Sequence, residues 1–155
     1  MQGFLHSDFG KMGLGVIRYL ENKIVGVIDS ENAGSNISKE HKIDRDIPIY
    51  SSLEEVIKKG AEVLVLGIAP SGGKIPNDWL YLIESAVKMG LSVINGLHDT
   101  LGDRFNHKIK DRENQWIWDV RIPNIIPQIA TAKAAKLSNK RVLMIGTDMA
   151  SGKMT

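Results

Sequence analysis

The 155-residue sequence contains no cysteine. That absence excludes a disulfide scaffold, a thiolate metal site and a cysteine nucleophile, and it fits a reducing compartment. No stretch reaches the roughly 18 consecutive apolar residues of a membrane span, and residues 1–10 lack the basic flank and apolar core of a secretory signal. No charge block is present either. Twenty Lys and Arg against eighteen Asp and Glu leave a formal net charge of +2, and the basic residues are scattered among acidic ones, so no electrostatic footprint for nucleic acid exists. There is no internal repeat or low-complexity tract. The expectation is a cytoplasmic protein with a small-molecule substrate, without nucleic-acid or membrane partners, and compatible with a homo-oligomer.

What is present is ordinary for a globular α/β protein: 43% apolar and 25% charged residues in a length that suits one domain. Short apolar runs rich in β-branched residues, at 24–28, 63–68, 91–94 and 141–145, alternate with helix-like segments. This is the pattern of a mainly parallel sheet with helices on both faces, and the four runs are expected in one sheet. Helices are predicted over residues 53–59, opened by Ser51 or Ser52, over 78–89, opened by Asn77 and closed by Gly90, and over 127–137, where Pro occupies an acceptable first-turn position. Residues 101–115 are polar without period and read as a loop.

Near the front, Gly10, Gly13 and Gly15 are expected in a turn before a helix over 16–20, with Asp29 ending the next strand. Their order is G-x-x-G-x-G, not the dinucleotide-binding G-x-G-x-x-G, so a structural turn is expected over an NAD site. Asp29 is read either as the acid that meets a ribose hydroxyl or as a loop cap. Only Gly3 to His6 could form a strand before this turn, so the opening strand of the Rossmann pattern is short or clipped.

Two glycine-rich segments follow strands. The last, from Gly146 through Thr147 and Asp148 to Gly152, Lys153, Met154 and Thr155, has the form of a phosphate-binding loop. There backbone N–H groups turn onto phosphate, Lys neutralises it and a hydroxyl binds Mg²⁺. Five residues rather than four separate Gly146 from Gly152, and Met154 holds the usual hydroxyl position, leaving Thr155 for the metal role. The second, with Gly72, Gly73 and Lys74, could approach an anion closely or be a mobile tip. His98 is the candidate acid/base group, with Asp99 as its orienter or His98 as a hydrogen-bonded loop residue. Trp116, Trp118, Asp119 and Arg121 read as core packing with an edge ion pair.

Four of these segments together, residues 67–76, 95–99, 118–121 and 146–155, resemble the DgcN-type family, which contains D-glutamate N-acetyltransferases and was formerly a domain of unknown function. The resemblance runs from about Gly10 to Thr155. It implies a Rossmann-like domain over residues 1–125, followed at 126–155 by a linker helix, the first strand and the P-loop of a second domain. It further implies an enzyme that moves an acetyl group from acetyl-CoA to the amine of a D-amino acid. The segment by itself is expected to be inactive. Read literally, the terminal loop also resembles that of dethiobiotin synthetase, implying an ATP- and Mg²⁺-dependent ligase. A nucleotide-binding module without catalysis is the non-enzymatic alternative.

Overall fold

The computed structural model describes residues 1–123, 125, 126, 128, 131–143 and 145. Two compact units are present, Met1–Pro123 and Asn124–Thr155. The first is an α/β fold of Rossmann-like character. Its helices are α1 (Lys11–Tyr19), α2 (Ile37–His41), α3 (Leu53–Lys58), α4 (Asn77–Lys88) and α5 (Gly102–Phe105), and its strands are β1 (Val27–Ile28), β2 (Ile49–Tyr50), β3 (Val63–Val65), β4 (Ser92–Asn95) and β5 (Ile117–Asp119).

All strand pairs in these elements are parallel, but they form two hydrogen-bonded sheets where one was expected: β1 with β2, and β3-β4-β5 in that order. Two of the strands lie outside the expected runs. In β2 only Ile49 and Tyr50 pair, opposite Val27 and Ile28, and β5 runs through the Trp116–Trp118 cluster. Trp116 and Trp118 are 41% and 55% exposed, so the expectation of core packing fails for both. In an alternating strand, residues flanking an inward Ile117 turn outward.

Adjacent strand residues point to opposite faces, and β1 shows which helices cover each. Val27 packs with Ile17 of α1, Ile37 of α2 and Ile49, whereas Ile28 packs with Leu53 and Val56 of α3 and Ala86 of α4. The largest core cluster joins Leu66 and Ile68 to Trp79, Ile83 and Val87 of α4, and to Leu97, Leu101 and Phe105.

Local chemistry explains the helix ends. Ser52 caps α3 by accepting from the Glu55 N–H, while Ser51 donates to the Glu55 carboxylate, so both serines serve one terminus. Helix α4 starts at Asn77 itself after Pro76, and Gly90 at φ +97° ends it as expected. Helix α1 begins at Lys11, five residues earlier than the glycine spacing suggested, which places Gly13 and Gly15 inside it. The reason is packing: the first-turn N–H of Gly13 donates to Gly67 O at 3.0 Å, and a Cβ on Gly13 would lie 2.6 Å from that oxygen. The supposed loop over 101–115 holds α5 and the 3-10 turn Asn106–Lys108.

In the second unit the described residues form the 3-10 turn Lys133–Lys136 where a helix over 127–137 was expected. Residues 141–143 are not in a strand, and Val142 and Leu143 are 89% and 83% exposed. No described strand pairs with them, and an apolar run gains a strand conformation only from a partner. Pro127, Ile129, Ala130 and Met144 lie outside the described residues.

Candidate functional site

Parallel strands deliver their following loops to one edge, and here the loops after β3, β4 and β5 are tied together by side chains at the strand ends. Asn95, the last residue of β4, is fully buried. Its Nδ2 donates to Asp119 Oδ1 at 2.7 Å and to Asp99 O at 2.6 Å, and its Oδ1 accepts from the Leu97 N–H at 2.9 Å. Asp119, at the end of β5, also accepts from the N–H groups of Leu101 and Gly102, at 3.0 and 2.8 Å, at the start of α5. A carboxylate at a helix start satisfies amides that have no partner within the helix. Asp119 therefore turns to these amides, not to Arg121, and the expected edge ion pair is not formed.

The loop after β3 joins from the other side. The His98 N–H donates to Gly73 O at 2.7 Å, and the Ile75 N–H donates to Asp99 Oδ2 at 2.7 Å. Residues 70–74 and 95–99 are thus neighbours on the carboxyl edge, as their positions after consecutive parallel strands predict. The Asp99 carboxylate holds the Ile75 amide, and no ion pair joins it to His98 among the described residues. Its expected role as orienter of His98 is replaced by a loop-bracing one.

Gly73 is required where it stands. Its φ is +64°, a left-handed value that a side chain disfavours, and a Cβ there would fall 1.9 Å from His98 Cδ2. The imidazole of His98 lies over this glycine and is exposed. Gly72, at φ +75°, has open space around it, and Lys74 is exposed beside it. The Gly73 N–H donates to Pro70 O at 2.9 Å, so this turn offers an anion the Gly72 amide and Lys74, not a series of free amides. Ala69 is anchored separately, its N–H donating to Phe9 O at 2.8 Å.

Asp29 is a loop brace of the same kind. It is fully buried at the end of β1, and Oδ1 accepts from the Glu31 N–H at 3.1 Å, which favours the loop-cap reading over a ribose acid. Gly146, Thr147, Asp148, Gly152, Lys153 and Thr155 lie outside the described residues. Among the described residues no three His, Asp or Glu side chains are grouped to hold a metal. No described helix is long and apolar enough to cross a membrane.

Sequence reasoning found His98 and Gly73 but missed Asn95 and Asp119 as the hub. The available signal was a polar residue closing each of two apolar strands, where a buried amide and a carboxylate can stitch loops.

Comparison with known proteins agrees with this architecture. Residues 30–123 match a domain of unknown function, DUF1611_N, described as a Rossmann-like domain. A protein of Pseudoalteromonas named D-glutamate N-acetyltransferase is 38% identical over 105 residues, covering 66% of this chain and 31% of that protein. One of the same name from Tritonibacter scottomollicae is 30% identical over 145 residues, covering 93% of this chain and 40% of that protein. The crystal structure of a DUF1611 family protein from Anabaena variabilis superposes with a TM-score of 0.79 at 38% identity, over 96% of this chain and 43% of the other. The chain spans between about a third and two fifths of the length of the curated relatives it matches. With the match extending over most of its length, the chain belongs to the DUF1611_N family of Rossmann-like domains.

Proposed function

We propose that the whole protein is an N-acetyltransferase that moves the acetyl group of acetyl-CoA to the amine of a D-amino acid, with D-glutamate the first acceptor to test. The observation that carries this reading is the likeness to two proteins named D-glutamate N-acetyltransferase, one of them aligned over 93% of this chain. In this reaction the amine nitrogen attacks the thioester carbonyl, the C–S bond breaks and CoA leaves as its thiol. The amine must give up a proton, and an exposed imidazole on a braced loop can take it. His98 is assigned that role because the Gly73 packing and the Asn95 and Asp99 hydrogen bonds hold its loop in place while its ring remains open.

The phosphate-binding role falls to Gly146, Thr147, Asp148, Gly152, Lys153 and Thr155, the residues of the terminal loop. A P-loop recognises the charge and shape of phosphate groups and suits those of CoA as well as those of ATP. Gly72 and Lys74 offer a second, weaker anion contact near His98.

Calorimetric titration of the whole protein with acetyl-CoA and with ATP·Mg²⁺ tests the reading. The expected result is acetyl-CoA binding that weakens at least tenfold in Lys153→Ala, with no comparable affinity for ATP·Mg²⁺. Binding of ATP·Mg²⁺ alone, lost in Thr155→Ala, would favour an ATP-dependent ligase instead.

A further inference from the structure

An apolar groove of about 640 Å³ runs between β1 and β3, walled by α1 and α3 and lined by Val16, Ile17, Val27, Val56, Leu64 and Val65 among others. Its two long sides are strand edges. Along β1, the N–H groups of Val27 and Asp29 donate toward β2, to Pro48 O and Tyr50 O, so the alternation of a parallel ladder turns the N–H and C=O of Ile28 the other way, into the groove. Along β3, Leu66 N–H donates to Ile94 O and Glu62 O accepts from Ser92, which turns the main-chain groups of Val63 and Val65 into the groove from the opposite side. Two parallel sheets thus present unpaired edges to one another across an apolar gap. In a soluble fold such edges are normally paired or covered.

The strand order gives the gap a place in the topology. A doubly wound dinucleotide-type sheet runs 3-2-1-4-5-6, with its first strand between the second and fourth. Laid on that order, β2, β1, β3, β4 and β5 take positions three, two, four, five and six, and the groove falls at position one. The groove is also the right size. At a strand spacing of about 4.8 Å, a rise of about 3.3 Å and a layer separation of about 10 Å, one strand residue fills on the order of 160 Å³. The groove therefore takes about four residues, the length of the neighbouring β4.

Met1 marks its entrance. The Met1 nitrogen donates to Ile28 O at 3.0 Å, at the carboxyl end of β1, which is the bond the last residues of a strand parallel to β1 would make. The Met1 side chain lies against Gly13 and Gly67, where α1 and the end of β3 meet. The α-amine is buried enough that its pKa falls from 8.0 to about 6, a desolvation cost that a peptide bond at this nitrogen would not carry.

We propose that this groove is the seat of a central parallel strand, an extended apolar segment that lies between β1 and β3, joins their two sheets into one and connects directly to Met1. Backbone hydrogen bonds to both edges hold the segment, and Val, Ile or Leu side chains fill the faces toward α1 and α3. This inference is independent of the acetyl-transfer reading.

The test compares three proteins: the 155-residue chain, the same chain preceded at Met1 by six residues drawn from Val, Ile and Leu, and one preceded by six Gly and Ser residues. Amide exchange is followed at Ile28, Val63 and Val65, together with Tm and mass by light scattering. The apolar extension is expected to slow exchange of these three amides at least a hundredfold and to raise Tm in a monomer, with no such change from the Gly and Ser extension. Val65→Pro in the apolar-extended chain removes an N–H that β4 does not use, and is expected to return Ile28 and Val63 to fast exchange. Equal exchange in the two extended chains would overturn the proposal. So would protection of the three amides in the unextended chain with a dimeric mass, which would assign the groove to a second copy.

Discussion

Replacing Asp119 with Ala tests whether one carboxylate holds the candidate site together. The substitution removes the acceptor for Leu101 N–H, Gly102 N–H and Asn95 Nδ2. Asp119 is only partly buried, so water can reach the Gly102 amide through the space the side chain leaves. Leu101 and Asn95 are fully buried, and their donors stay dry. An unsatisfied buried donor costs about 1–3 kcal/mol, and two of them give an expected loss of about 3 kcal/mol. For a domain of this size that lowers Tm by roughly 6–12 °C. Asp119→Asn keeps one carbonyl oxygen but turns an NH₂ group toward a donor, so about half the loss is expected. Equilibrium urea unfolding followed by far-ultraviolet circular dichroism measures it, with the midpoint falling and the slope unchanged. A loss below about 1 kcal/mol for Ala, or none for Asn, would refute the reasoning, because it would mean that the three loops are positioned without this carboxylate.

Gly73→Ala is expected to destabilise the protein by about 2 kcal/mol or more and to lower kcat/KM of the whole enzyme, since the added methyl meets both a left-handed φ and the His98 ring. Gly72→Ala, with the same backbone strain and open space, is expected to cost about 1 kcal/mol and spare activity, and thermal melts with steady-state kinetics separate the two. His98→Gln is expected to lower kcat of the whole enzyme by about 10²–10⁴ with Tm unchanged, measured by CoA release. Hydrogen bonds and charge from Lys108 and Lys88 hold the Glu84 carboxyl at a pKa of about 2, below its ordinary 4.5. The unfolded chain takes up this proton first, so the contribution is complete above about pH 4.5 and fades as pH falls toward 2. Acid unfolding of Glu84→Gln is expected to lack this part of the pH dependence, and high salt is expected to shrink it in the unmodified protein.

The alternation of β-branched runs with helical segments made the parallel α/β class legible, because β3, β4 and α4 are long enough to carry their period. What escaped was short or non-local. Strand β2 pairs through only two residues, Ile49 and Tyr50, directly after Pro48, and no period shows in two residues. Helix α5 spans four residues in a polar stretch, and its stabilising carboxylate, Asp119, comes from 17 positions downstream of Gly102. Helix α1 was read five residues too late because glycines signal turns, whereas Gly13 serves a close approach to Gly67 that only the tertiary structure shows. The expectation of a single sheet failed at the one position where β1 and β3 are not joined, and the two open edges there identify the interruption as local to the groove. At the site, His98 and Gly73 stood out by residue type and position after strands. Asn95 and Asp119 work through bonds to each other and to two loops, which no local pattern records.

The most direct measurement of the central claim is turnover by the whole protein supplied with acetyl-CoA and either D- or L-glutamate, with the acetylated product quantified by mass spectrometry and free CoA by thiol titration. The account predicts N-acetyl-D-glutamate and CoA in equal amounts, little product from L-glutamate, and no requirement for ATP. Binding of acetyl-CoA without acetylation of D-glutamate or any other D-amino acid, or product formation only when ATP·Mg²⁺ is present, would contradict it.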